Sequence, residues 1–100
     1  MPLLHIALQE GFAGDAVVLR INGREVFNQP AVKTRMQTGF AAACEENVPA
    51  GACRAEICLP GRPLTESIDL TVACDTWLGV SLMPEGRLSR RISTEPFGYV

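Results

Sequence analysis

The sequence predicts an all-β protein: an antiparallel β-sandwich of about seven to eight short strands, immunoglobulin-like or transthyretin-like in topology. Three observations predict it. Apolar and polar residues alternate with period two along most of the chain. Breaks made by Gly, Pro and Asn-Gly recur at spacings of roughly ten residues. No capped segment of helical period is long enough to serve as a crossover, which excludes βαβ units.

Leu4, Ile6 and Leu8 share one parity against His5, Ala7 and Gln9, as in a half-buried strand. Gly11 and Gly14 break the chain. Val17, Leu19 and Ile21 line the next strand. Asn22-Gly23 then forms a two-residue hairpin turn, since these residue types tolerate the positive φ that both turn positions need. That loop pairs Ile21 with Arg24, Arg20 with Glu25 and Leu19 with Val26. It places Val18 and Phe27 together on the face opposite Leu19.

Residues 32–40 alternate cleanly. Val32, Thr34, Met36, Thr38 and Phe40 fall on one side, with Lys33, Arg35 and Gln37 on the other, which predicts a strand. Residues 41–46 carry helix-favouring Ala and Glu. They are confined between Gly39 and Pro49, so a short strand is expected there too.

Pro49-Ala50-Gly51 makes a turn. Cys53, Ala55, Ile57 and Leu59 then form a core row, with Arg54 and Glu56 opposite. After the break at Pro60-Gly61-Arg62-Pro63, Leu64, Ile68, Leu70 and Val72 alternate with Thr65, Ser67, Asp69 and Thr71. Glu66 alone is out of pattern and is expected near a strand end. Leu78, Val80 and Leu82 make a further strand, from which Trp77 points away by parity. Pro84-Glu85-Gly86 turns that strand toward Leu88 and Ile92.

A chain of 100 residues forms one domain, 1–100. Hydrophobic residues make up 47% and charged residues 20%, which argues against disorder. The net charge is −2, evenly spread: four basic and five acidic groups in 1–50, five and six in 51–100. Such a balance gives no attraction for nucleic acid or an anionic membrane. The apolar run at 3–8 is too short for a signal-peptide core or a membrane span. A cytoplasmic location with reduced thiols is therefore expected. Lys33 is the only Lys among nine basic residues and Ala is abundant, a codon bias that suggests a bacterial source.

The residues that could carry chemistry are scattered. Structural zinc sites pair cysteines about two to four residues apart on tight turns. Of Cys44, Cys53, Cys58 and Cys74, only Cys53 and Cys58 are close, and their opposite parity sends them to opposite faces. They read as small hydrophobes. His5 is the only His and falls on the polar parity of its strand, as an exposed residue; no Cys has a nucleophile setting beside it. Glu45 and Glu46 face opposite ways. Glu10, Asp15, Asp69 and Asp75 lie at strand ends or loops, where calcium ligands collect, yet Asp also serves turns for backbone reasons. Arg87, Arg90 and Arg91 split between two faces, as in an edge strand guarded by charge. Gly11-Phe12-Ala13-Gly14 precedes a strand, whereas a phosphate loop opens a helix.

The opening Gln9-Glu10-Gly11-Phe12-Ala13-Gly14-Asp15, the Asn22-Gly23 hairpin, Lys33-Thr34 and the closing Pro96-Phe97-Gly98-Tyr99-Val100 resemble short bacterial single-domain β-sandwich proteins of unknown function. The resemblance implies no activity. The expected function is a non-catalytic module that binds a protein partner or self-associates as a homodimer, without a cofactor. Trp77, Phe97 and Tyr99 are the expected interaction residues, set against a core or core-edge place for Trp77, the commoner role of a lone indole, and docking of the Phe97–Tyr99 tail on its own domain, the commoner fate of an apolar terminus. The alternative is a calcium- or zinc-binding module using the loop carboxylates or the cysteines.

Overall fold

Alternating apolar and polar residues build eight strands in the computed structural model, which describes residues 1–62 and 64–96. They are β1 (Leu3–Leu8), β2 (Ala13–Ile21), β3 (Arg24–Lys33), β4 (Ala42–Asn47), β5 (Gly51–Leu59), β6 (Leu64–Val72), β7 (Thr76–Leu82) and β8 (Leu88–Ser93). No helix occurs among the described residues. The strands form two four-stranded sheets, ordered β4-β1-β7-β8 and β3-β2-β5-β6. All neighbours are antiparallel except β1 and β7, which run parallel. The two sheets pack face to face as a β-sandwich. An immunoglobulin constant domain instead sets four strands, A, B, E and D, against three. The strands here divide four and four.

The core lies between the sheets. Leu4, Ile6, Leu8, Leu78 and Val80 of the first sheet meet Val17, Leu19, Ala55, Ile57 and Leu59 of the second, each at most 1% exposed. Burying a side chain of Leu or Ile size stabilises by about 1.5–3 kcal/mol, so this double row dominates the fold. Cys53 is the fourth member of the predicted row on β5 and is buried as a small hydrophobe. Gly11 marks a close approach. Its φ is +91°, and a Cβ there would run into the backbone carbonyl of Leu82.

The hairpin has the expected turn, with Asn22 at φ 51° and Gly23 at φ 82°. Its register is the expected one for two rungs, Ile21 with Arg24 and Arg20 with Glu25. A β-bulge then intervenes. Leu19 lies opposite Phe27, not Val26, and the extra residue turns Phe27 toward the core, where it and Val26 are partly buried. Phe27 is therefore not on the outer face with Val18.

Residues 32–40 are not one strand. β3 runs on through Pro30 to Lys33 as an edge strand, where a proline costs no ladder bond. The chain then folds into a tight turn: Gly39 N–H donates to Arg35 carbonyl at 2.8 Å, and Gly39 has φ +69°. Thr34 is held at its base, accepting from Phe12 N–H at 3.0 Å and donating to Gln9 carbonyl at 2.6 Å. Met36, expected beside Val32, is 94% exposed at the turn. The short strand expected at 41–46 forms as β4, Ala42–Asn47. Glu66 is the third residue of β6, inside the strand, and its out-of-pattern carboxylate accepts the backbone N–H of Leu88 at 3.1 Å.

Candidate functional site

β1 occupies the middle of the first sheet, between β4 and β7. Register sets His5 opposite Glu45 on one side and Trp77 on the other. These three side chains share the outer face, because Leu4, Ile6, Leu78 and Val80 take the inner one. Neighbouring strands lie about 4.8 Å apart, close to the spacing that stacked rings adopt. The imidazole and indole accordingly stack, with ring centroids 4.5 Å apart and planes 3° from parallel. His5 Nδ1 lies 3.3 Å from Glu45 Oε1. The result is a flat shelf ending in a carboxylate.

His5 is not the exposed residue its polar parity suggested: its side chain is only 18% exposed. Parity placed both rings outside but could not pair them, since β1 and β7 are joined by the longest sequence separation in the sheet. Trp77 stands half-buried on the outside of the sandwich, away from the core.

The next rung holds Ala43, Ala7 and Gly79, with Arg91 of β8 at its end. Gly79 has a reason to lack a side chain. A Cβ there would come within 2.7 Å of Gln9 Oε1, whose amide lies over it. Beside the shelf is a hollow of about 180 Å³, with Phe40 and Pro96 contributing to its wall. Phe97 and Tyr99, the other two expected interaction residues, lie outside the described residues.

No family model, curated protein or solved structure matches the chain. The reading of the site therefore rests on its own geometry.

The thiols do not join the shelf. Cys44 pairs with Ile6 and so shares the core side of β4, opposite the imidazole. Burial first, then the neighbouring Glu46 and Glu45 carboxylates, push its pKa up to about 11, so it stays a neutral thiol. Burial also raises the Cys53 thiol. Cys58 accepts a hydrogen bond from the Thr65 hydroxyl at 3.4 Å, and Cys74 is exposed.

The four loop carboxylates go separate ways. Asp15 accepts from Ala13 N–H at 3.0 Å and from Arg62 Nε at 2.9 Å. Asp69 pairs with Arg54 at 2.9 Å, and Asp75 accepts the N–H of Leu3 at 2.9 Å. Glu10 packs beside Gly39. Among the described residues, no group of three or more His, Cys, Asp or Glu side chains is placed to hold a metal ion. The basic segment is divided as well: Arg87 pairs with Glu85 at 2.8 Å, while Arg90 and Arg91 leave β8 on opposite faces. No helix among the described residues is long and apolar enough to cross a membrane.

Proposed function

We propose that the protein is a non-catalytic interaction module, which meets a protein partner or another copy of itself through the outer face of the first sheet around Trp77. The Trp77–His5 stack carries this reading. It holds a large aromatic surface flat on the outside of a sheet, beside a row of Ala43, Ala7 and Gly79. Trp is the residue type most enriched among interface hot spots. A ring already immobilised by stacking loses little further freedom on binding, so more of its contact energy appears as affinity. Charge stands at the border, with Glu45 at one side and Arg91 at the other, which matches an apolar centre inside a polar rim.

The test is native mass spectrometry of freshly purified, reduced protein, beside Trp77→Ser. The expected species is metal-free protein bound to itself or to a co-purified protein. Loss of a hot spot worth about 2 kcal/mol weakens that complex roughly thirtyfold in Trp77→Ser. A stoichiometric metal removed by chelator, or a Trp77→Ser complex as tight as the parent's, overturns the reading.

A further inference from the structure

The stack of Trp77 on His5 runs across the first sheet, from β7 to β1, and the strand order continues it to β4. One face of the imidazole lies against the indole. The other is turned toward β4, the neighbour of β1 on that side. Two residues of β4 stand there on the outer face, Ala43 and Glu45. Ala43 carries only a methyl, and so does Ala7 opposite it. The hollow of about 180 Å³ opens over these two methyls. The small floor is what keeps it open, since a branched side chain at Ala43 would fill it.

The walls are aromatic and apolar. His5, Trp77 and Phe40 supply rings, and Pro96 adds an apolar edge. Glu45 is the one carboxylate among the described residues of the lining, and no Lys or Arg joins it there. Arg91 ends the neighbouring rung at Gly79 but does not line the hollow. The imidazole lies against Oε1 of Glu45 at 3.3 Å, and a carboxylate has acceptor capacity for further donors. The Glu45 side chain is 62% exposed, so it can turn to meet a guest.

A slot of aromatic rings ending in a carboxylate selects a cation. Its shape then chooses between the two cationic side chains. A guanidinium is planar and weakly hydrated, and it stacks on rings while its fork of N–H groups meets a carboxylate. An ammonium is a compact, strongly hydrated point charge, to which flat rings offer less. A neutral apolar side chain could fill the hollow, but it would cover Glu45 without giving it a donor, which costs free energy.

We propose that the hollow beside the Trp77–His5 stack binds an arginine side chain of the partner protein, its guanidinium lying third in the stack over Ala43 and donating to the carboxylate of Glu45. Arginine recognition rests on the outer face being the interaction surface proposed above, and adds what that surface selects.

Trp77 is the only Trp of the chain, so its fluorescence reports this site alone. The test titrates the full chain with Nα-acetyl-arginine amide, and with the matching citrulline and lysine amides, at constant ionic strength. Arginine should shift the emission with half-saturation on the order of 10 mM, the strength expected of one stacked and ion-paired group. Citrulline, nearly the same shape without the charge, and lysine should each bind at least about threefold more weakly. Glu45→Gln should weaken arginine binding about threefold. Ala43→Leu fills the hollow from an exposed position on an edge strand, so it should abolish the shift and keep the parent's denaturation midpoint. Citrulline or lysine binding as tightly as arginine, Glu45→Gln binding at full strength, or a folded Ala43→Leu that still responds overturns the proposal. Native mass spectrometry separates the two levels. A complex formed by a protein indifferent to the arginine probe sinks arginine recognition and leaves the interaction surface standing. A protein that answers the probe yet forms no complex does the reverse.

Discussion

The indole of Trp77 lies parallel to the imidazole of His5, 4.5 Å away and 3° from coplanar orientation, on two strands that run parallel through the middle of one sheet. Stacked pairs contribute about 0.5–1.5 kcal/mol beyond the area they bury. A double-mutant cycle with His5→Ala and Trp77→Ala, read by urea unfolding, should return a coupling in that range. Additive losses would mean that the two rings are neighbours without being partners, and the shelf would lose its rigidity.

The bulge in β2–β3 makes a second, sharper prediction. Because Leu19 faces Phe27, the phenyl ring packs against the core instead of the solvent. Phe27→Ala should cost about 2–3 kcal/mol, below the usual range for a fully buried ring because Phe27 is only partly buried. Gln29→Ala, on the same strand and exposed, should stay within about 0.5 kcal/mol of the parent. Equal effects at the two positions would restore the regular register.

Phe27 also shows where the sequence stops speaking. Period two places every core residue of β1, β5 and β7 on the correct face, because burial on one side leaves a strict alternation. Asn22-Gly23 fixes the turn for the same local reason: both residues tolerate positive φ. A bulge adds one residue to a strand and reverses parity beyond it, with no residue type to announce it here. The turn at 34–40 deceives in the opposite way. Its apolar and polar residues alternate by chance, and no buried neighbour stands behind Met36 to give the pattern meaning. The shelf was half legible. Parity set Trp77 outside, while its partner is decided by a parallel pairing between strands some seventy residues apart, which depends on how the whole chain closes.

Gly11 and Gly14 separate two costs that are usually confounded. Both adopt positive φ, 91° and 90°. Gly14 has open space where a Cβ would go, whereas Gly11 would drive one into the Leu82 carbonyl, a backbone atom that cannot swing away. Gly14→Ala should cost only the left-handed conformation, about 1–2 kcal/mol. Gly11→Ala should cost clearly more, about 3 kcal/mol or above, and weaken the Leu82 N–H bond to Glu10 carbonyl. Denaturant midpoints of the two variants check the difference; equal losses would place the backbone strain alone in charge.

The four thiols should react in an order set by exposure and charge. Cys74 is exposed, and Cys53 is buried. Cys44 is half-buried beside two carboxylates, its pKa pushed up to about 11. At pH about 8 only about one Cys44 in a thousand is then a thiolate. Iodoacetamide labelling followed by peptide mass mapping should find Cys74 modified first, with Cys44 and Cys53 last. Rapid labelling of Cys44 would show that β4 opens readily or that its thiol is activated, and would reopen the question of chemistry beside His5.

Asp15 ties the start of β2 to the β5–β6 loop, and its charge should make that tie acid-sensitive. Burial opposes its ionisation, but the Ala13 N–H and the Arg62 guanidinium outweigh burial and hold its pKa below the ordinary 3.8. A carboxyl with a lowered folded pKa stabilises the fold fully above its unfolded value and loses that contribution as pH falls through its folded one. Asp15→Asn mimics the protonated form and keeps one acceptor. Its stability deficit against the parent should therefore be constant near neutrality, begin to shrink as pH falls toward the ordinary carboxyl value of 3.8, and vanish only below the lowered folded value. The exposed pairs Asp69–Arg54 and Glu85–Arg87 move the same way with smaller effect, because water and salt screen them. Urea unfolding of both proteins from about pH 7 to about pH 2 decides the matter: a deficit that does not shrink on acidification would mean that Asp15 acts through its shape and hydrogen bonds alone, with no share from its charge.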